Sequence, residues 1–234
     1  MGDGEKTMAQ AKARLLAAAL PHVAFDGWSQ ASFQAAITDS GMSPGLAMGL
    51  FARGGTDLAV EYHRAGDAAM AKALAQRNDL ALLKIRQKVA LAVRLRLQSV
   101  DRDLVRRGTA LFALPGHAAE GAGLIWGTAD AIWTALGDIS DDVNWYTKRG
   151  TLAAVYGATV LFWLGDDSEG TVETWNFLDR RIENIMQIEK AKGAFRGHPI
   201  GRALLDGPLR ILDRIKPPRP SDDLPGHTAP GGAT

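Results

Sequence analysis

The sequence predicts an all-helical protein. Between Pro44 and Pro199 only Pro115 interrupts the chain, and alanine and leucine dominate that stretch. No segment alternates apolar and polar residues in the way that a half-buried strand requires, and no Asn-Gly or Asp-Gly pair stands between two such segments. Long helices around one apolar core are therefore expected.

Helix start and stop signals divide the first third of the chain. Pro21 lacks an amide proton and is expected to end a first helix that begins near residue 5. Ser29 and Ser43 occupy N-cap positions, and Pro44 suits the first turn of a helix. Helices are expected over residues 5–20, 29–40, 44–52 and, after the break at Gly54-Gly55, 57–76.

The same signals place the later helices. They are expected over residues 80–100, 103–114, 117–136, 142–164, 171–194 and 200–215. The polar tail that follows is rich in proline and glycine and is expected to be disordered. The predicted units are a helix-turn-helix-like part (1–54), a helical bundle (55–196), an amphipathic helix (197–216) and the tail (217–234).

The composition argues against metal, redox and nucleophilic chemistry. There is no cysteine, so disulfides, zinc ribbons and iron–sulfur clusters are excluded, and the five histidines match no metal motif. The Gly-x-Ser-x-Gly match at residues 41–45 follows a helix, whereas a hydrolase elbow follows a strand. With 27 basic and 26 acidic residues there is no global attraction to nucleic acid. We expect no catalytic residues, no metal and no enzymatic activity.

Residues 36–58 resemble the helix-turn-helix of TetR-type transcription regulators. The shared pattern is an alanine, a glycine, the cap Ser43, a second glycine, an aromatic residue and a late leucine. A DNA-reading helix must present polar or basic side chains to bases and phosphates, and residues 44–52 contain none. No nucleic-acid partner is expected, although a DNA-binding regulator with an apolar ligand is the alternative function.

Tryptophans are concentrated in the second half of the chain. Trp126 and Trp163 are expected in the core. Trp145 and Tyr146 instead lie in the polar first turn of a helix, where they cover two different faces, so one ring is expected to be exposed. Exposed tryptophan and tyrosine are typical anchors of protein interfaces.

The segments around Trp145 resemble a known family. Residues 142–149 (DVNWYTKR), 152–156 (LAAVY) and 174–178 (TWNFL) are similar to those of the lipid-binding accessory protein of ubiquinone (coenzyme Q) biosynthesis, the ninth of the COQ series. Its bacterial relatives are called rpsU-divergently transcribed. The resemblance extends over residues 15–215 or so.

The resemblance implies a TetR-like homodimer that binds an isoprenoid or phospholipid and presents a polyprenylated quinone precursor to the di-iron demethoxyubiquinone hydroxylase. It implies a partner interface at Trp145, Tyr146, Ile132 and Trp133. Eukaryotic members carry a mitochondrial leader. This sequence lacks one, so we expect a bacterial protein of the cytoplasm, peripherally attached to the inner membrane.

An apolar pocket is expected between the long helices, because Gly121, Gly123, Gly127 and Gly157 leave room beside large aliphatic residues. The predicted lipid-pocket residues are Val93, Leu97, Leu124 and Val155. A fully packed core is the alternative.

Residues 200–215 are expected to contact a membrane surface. At 100° per residue, apolar side chains fall on one half of the helix and charged ones on the other. The alternative is a terminal helix docked on its own core, and Gly207-Pro208 is expected to kink or split the helix. The predicted membrane-contact residues are Ile200, Leu204, Leu205, Ile211, Leu212 and Ile215.

Overall fold

The computed structural model describes residues 3–141 and 143–197, and all regular structure within them is helical, as predicted. Two short 3₁₀ turns, Leu80–Leu82 and Glu169–Thr171, accompany nine α-helices. The α-helices are α1 (Asp3–Asp26), α2 (Gln30–Ser40), α3 (Pro44–Leu50), α4 (Gly55–Ala75), α5 (Ile85–Gln98), α6 (Arg102–Phe112), α7 (Ala118–Ala135), α8 (Val143–Leu164) and α9 (Val172–Gly197).

Both predicted N-caps are confirmed. The Ser29 hydroxyl accepts a hydrogen bond from the amide of Ser32 (3.2 Å), and that of Ser43 accepts one from the amide of Leu46 (3.4 Å). Gly41 ends α2 in the left-handed conformation at φ 63°, where a side chain would be strained. The tight turn between α2 and α3 follows from these local contacts.

Two helix boundaries differ from the prediction. Pro21 does not end α1, which continues to Asp26. Ala19 before the proline and Val23 after it are both fully buried, so packing outweighs the cost of about 3 kcal/mol for an interior proline. The expected helix over 80–100 is interrupted, because α5 starts only after Lys84, whose amide donates to the Gln87 side chain (2.9 Å).

Two apolar clusters form the core, and α4 contributes to both. Phe33, Phe51 and Leu58 belong to the N-terminal cluster, which unites α1 to α3 with the start of α4 and with Leu104 of α6. Met70 belongs to the larger cluster, which unites the end of α4 with α5, α7, α8 and α9. The two predicted units are therefore joined through one continuous helix.

Within residues 3–141 and 143–197, no helix combines the length and the hydropathy needed to cross a bilayer. The predicted membrane-contact residues Ile200, Leu204, Leu205, Ile211, Leu212 and Ile215 lie outside these described ranges.

Candidate ligand cavities and aromatic surface

The bundle contains a large apolar cavity, here called cavity A, between the first half of α5, the end of α7, the start of α8 and α9. Its volume is about 650 Å³, within the usual range of small-molecule sites. Eight of its 17 lining residues are aliphatic, and seven are polar or charged. Among the lining residues are Val89, Trp133, Leu136, Leu152, Val155 and Ile182.

One rim of cavity A is built from charged side chains. Asp138, almost fully buried, accepts hydrogen bonds from Lys148 (2.7 Å), Arg149 (3.0 Å) and Ser140 (2.9 Å). Burial opposes ionisation of Asp138, but the three donors outweigh it and hold the pKa of this carboxyl below its ordinary value. This rim is therefore ionic and fixed, whereas the rest of the lining is mainly aliphatic with Arg86, Asn144 and two threonines among it.

An aromatic cluster lies next to this rim. The Trp145 and Tyr146 rings meet edge to face with centroids 4.8 Å apart, and Trp126 lies 6.1 Å from Trp145. The Arg149 guanidinium stacks over Trp145 at 4.0 Å and is held from behind by Asp130 (2.5 Å). All three rings are partly exposed, so the expectation that Trp126 is a core residue is wrong, whereas Trp163 is buried as expected.

The other two predicted interface residues lie differently. Ile132 is 0% exposed and packs in the larger core, so the prediction that its side chain contacts a partner is wrong. Trp133 lines cavity A and donates its indole proton to the carbonyl of Lys148 (3.1 Å). Trp133 thus connects the cavity wall to the helix turn that carries Trp145.

The four predicted pocket residues do not share one cavity. Val155 lines cavity A. Leu97 and Leu124 line a second space of about 290 Å³, here called cavity B, which α4 to α8 enclose together with Trp28. Val93 lies in the core between the two and is fully buried. Of the four glycines, Gly121 and Gly157 line cavity B.

Cavity B has a polar end that the sequence analysis missed. Arg96, 2% exposed, donates from Nε to Asp67 (2.6 Å) and from Nη2 to the carbonyl of His63 (2.9 Å). Its guanidinium crosses α4 at Gly66, where any side chain would collide, since a Cβ would lie 2.5 Å from Nη1. His63 and Asp67 are one turn apart on α4, and that spacing was the available signal.

Burial keeps His63 uncharged. Desolvation, with the charge of Arg96 as the second cause, lowers its pKa to about 4. Its Nε2 atom lies 2.8 Å from the Thr128 hydroxyl and 3.2 Å from the carbonyl of Leu124. A carbonyl oxygen can only accept, so Nε2 carries the proton of the neutral ring. Nδ1 is therefore an unprotonated acceptor.

The α3 helix has the position of a DNA-reading helix but an apolar surface. Leu46 and Met48 are 50% and 45% exposed. The nearby cation, Arg53, makes a bidentate pair with Glu120 of α7 (2.7 and 3.0 Å) and also binds Asp57. The hydrogen bond to Glu120, followed by that to Asp57, raises the pKa of Arg53. The same Arg53–Glu120 hydrogen bond lowers the pKa of Glu120.

The sequence is similar to proteins named for ubiquinone biosynthesis. Residues 118–189 match the COQ9 family model. The Drosophila melanogaster mitochondrial ubiquinone biosynthesis protein COQ9 is 31% identical over 183 residues, covering 76% of this chain and 56% of that protein. The human protein of that name is 27% identical over 215 residues, covering 88% and 67%. The chain thus spans between about half and two thirds of the length of these relatives.

A solved structure shares the fold. The TetR transcriptional regulator from Nitrosomonas europaea superposes with a TM-score of 0.61 over 74% of this chain and 97% of that chain, at 18% sequence identity. At this identity the likeness concerns the fold alone, and it confirms the predicted TetR-like architecture.

The predicted localisation is wrong. The expectation of a bacterial protein at the cytoplasmic inner membrane rested on the absence of a leader. The relatives from Drosophila, Xenopus tropicalis and human are all named as mitochondrial proteins.

Proposed function

Since the chain belongs to the COQ9 family through residues 118–189, we propose that it is a lipid-binding accessory protein of ubiquinone biosynthesis, without a catalytic centre of its own. The relatives are named as ubiquinone biosynthesis proteins and align over most of this chain. Its ligand in this proposal is an isoprenoid or phospholipid, and physiologically a polyprenylated quinone precursor.

Cavity A is the observation that carries the proposal. The pocket of about 650 Å³ opens to solvent, its volume is typical of small-molecule sites, and much of its lining is aliphatic. Its wall offers aliphatic contact along its length, and its ionic rim offers Lys148 to a polar head group. A chain-like lipid with one polar end matches this division.

Mass spectrometry of an organic extract of the purified protein tests the proposal. We expect one co-purifying lipid per chain. Thr151→Trp, which places an indole in the wall of cavity A, is expected to remove the lipid. Ala154→Trp, on the exposed side of the same helix, is the matched control and is expected to retain it. A lipid equally abundant in both variants would contradict the assignment to cavity A.

The proposed partner is the di-iron demethoxyubiquinone hydroxylase. The aromatic cluster of Trp126, Trp145 and Tyr146 supports this, because partly exposed aromatic rings beside an arginine are the residues that dominate interface energies. The cluster borders the rim of cavity A, so a partner docked there would stand next to the bound lipid. Co-purification with the hydroxylase is the direct measurement.

We do not propose a DNA-binding function. The exposed face of α3 offers apolar side chains to solvent, and Arg53 is held by two carboxylates, so neither base readout nor release of counterions from phosphates has a source there. An unshifted DNA fragment in an electrophoretic assay with genomic fragments is the expected result.

A further inference from the structure

Cavity B differs from cavity A in its lining. Four aromatic side chains, Trp28, Tyr62, Phe112 and Tyr156, take part in its wall, together with aliphatic residues. Rings of this kind favour a flat, rigid guest, because stacked and edge-to-face contacts add to the burial of apolar area. At about 290 Å³ the space suits a single substituted ring rather than a long chain.

At the polar end of cavity B the charges of Arg96 and Asp67 cancel, although Nη1 of Arg96 is buried and makes no hydrogen bond within the described residues. Arg96 is paired with Asp67 at 2.6 Å, and the Thr128 hydroxyl lies 2.9 Å from the same carboxylate. An ionic guest would have to compete with this buried pair and would lose its own hydration. The lining therefore selects an uncharged molecule.

One hydrogen-bond acceptor in this wall is not used by the protein. His63 lines cavity B, and Nε2 makes both hydrogen bonds of the ring within the described part of the chain. Nδ1, with its lone pair, is left to accept a proton donor, and the side chain is 18% exposed.

Tyr62 adds a donor to the same wall. Its hydroxyl oxygen accepts from the amide of Asp101 (2.8 Å), which leaves its own proton to donate to a second oxygen. A guest with an oxygen-bearing ring can use both groups.

From this lining we propose that cavity B is a second binding site, independent of the lipid in cavity A, for a compact uncharged phenol whose hydroxyl donates to Nδ1 of His63. The aromatic wall contacts the ring, and the apolar residues around it exclude water. The site is formed by α4 to α8 together with Trp28, and phenol binding there does not depend on the ligand of cavity A.

The test uses the full chain and a pair of probes, 4-propylphenol and 4-propylanisole, in which a methyl group replaces the hydroxyl proton of the first. Calorimetry is expected to give a dissociation constant at least about tenfold lower for the phenol. With the histidines labelled, the ¹⁵N resonance of His63 Nδ1 is expected to shift on addition of the phenol but not of the anisole. Equal binding of the two probes, or an unchanged Nδ1 resonance, would overturn the proposal.

Two glycines of α8 supply matched variants. A Cβ at Gly157 would meet the Ile125 side chain at 3.7 Å, and one at Gly150 would meet Trp126 at 3.6 Å, both ordinary contacts. Only Gly157 lines cavity B. Gly157→Leu is expected to abolish phenol binding, whereas Gly150→Leu retains it. If Gly157→Leu does not fold, the ¹⁵N measurement on the unmodified chain still decides.

The two sites can fail separately. Thr151→Trp, which fills cavity A, is expected to leave phenol binding unchanged. Loss of phenol binding in that variant would place the phenol in cavity A and overturn the proposal, whatever the outcome for the lipid.

Discussion

His63 is a buried histidine whose neutral ring lowers stability in acid and also offers a hydrogen-bond acceptor to cavity B. Its neutral ring is fixed in one tautomer by Thr128 and the carbonyl of Leu124. His63 and Asp67 are four residues apart, but so are His22 and Asp26, so that spacing alone did not single out His63 among the five histidines. Its hydrogen-bond partners on α7, Leu124 and Thr128, are 61 and 65 residues further along the chain. They come close to His63 only because α4 packs on α7.

The lowered pKa of His63 predicts how stability changes with pH. The unfolded chain takes up this proton near pH 6.5, whereas the folded chain takes it up near pH 4. The free energy of unfolding is therefore fully present above pH 6.5 and decreases as the pH falls toward 4, by about 3 kcal/mol from this residue. Urea unfolding at pH 7 and pH 4.5 measures the difference. In His63→Gln this difference is expected to shrink, and an unchanged difference would contradict the assignment.

Trp145→Lys is expected to abolish association with the hydroxylase while the fold and the bound lipid are retained. A hot-spot tryptophan contributes about 2 kcal/mol or more to an interface. Trp175→Lys is the matched control: Trp175 is also partly exposed and lies under an arginine, Arg94 at 5.6 Å, but on α9. Circular dichroism checks folding, and co-purification checks association. If Trp145→Lys unfolds while Trp175→Lys does not, the Trp145 ring is part of the core and the interface prediction is contradicted.

At the scale of the helices, the sequence predicted what short-range contacts decide. The caps at Ser29 and Ser43 depend on a side chain and an amide three residues later, and both are found. The passage of α1 through Pro21 depends instead on burial of the flanking turns against α2 and α6, which no local pattern reports. The cavities follow the same rule, because their walls combine residues of four or more elements.

The helix predicted over residues 200–215 leads to a membrane-binding experiment. The full chain is expected to float with neutral liposomes, and a chain ending at Arg196 is not. Substitution of Leu204, Ile211 and Leu212 by serine is expected to reduce flotation as well, since burial of apolar area supplies most of the affinity. Equal flotation of the full and shortened chains would leave the segment with no membrane role.

At the scale of the whole molecule, α8 and α9 offer a surface for a second copy. Phe162 and Phe177 stack with centroids 4.5 Å apart, and Leu161 and Val172 are exposed beside them. We expect a homodimer through this face, and sedimentation at micromolar concentration should give twice the mass of the chain. Phe162→Glu is expected to produce monomers. Leu82→Glu, an exposed leucine on another face, is the control. A monomeric unmodified chain would contradict the prediction.

Because α4 belongs to both core clusters, residues of the N-terminal part contribute to the wall of cavity B. Trp28 belongs to the N-terminal cluster, yet its ring lines cavity B, and Ala59 at the start of α4 does the same. Arg53 fastens this end of the molecule to α7 through Glu120. The N-terminal helices, which have the arrangement of a helix-turn-helix, therefore form part of the wall of cavity B. A protein shortened by its first 54 residues would lose the Trp28 side of cavity B and expose that part of the site to solvent.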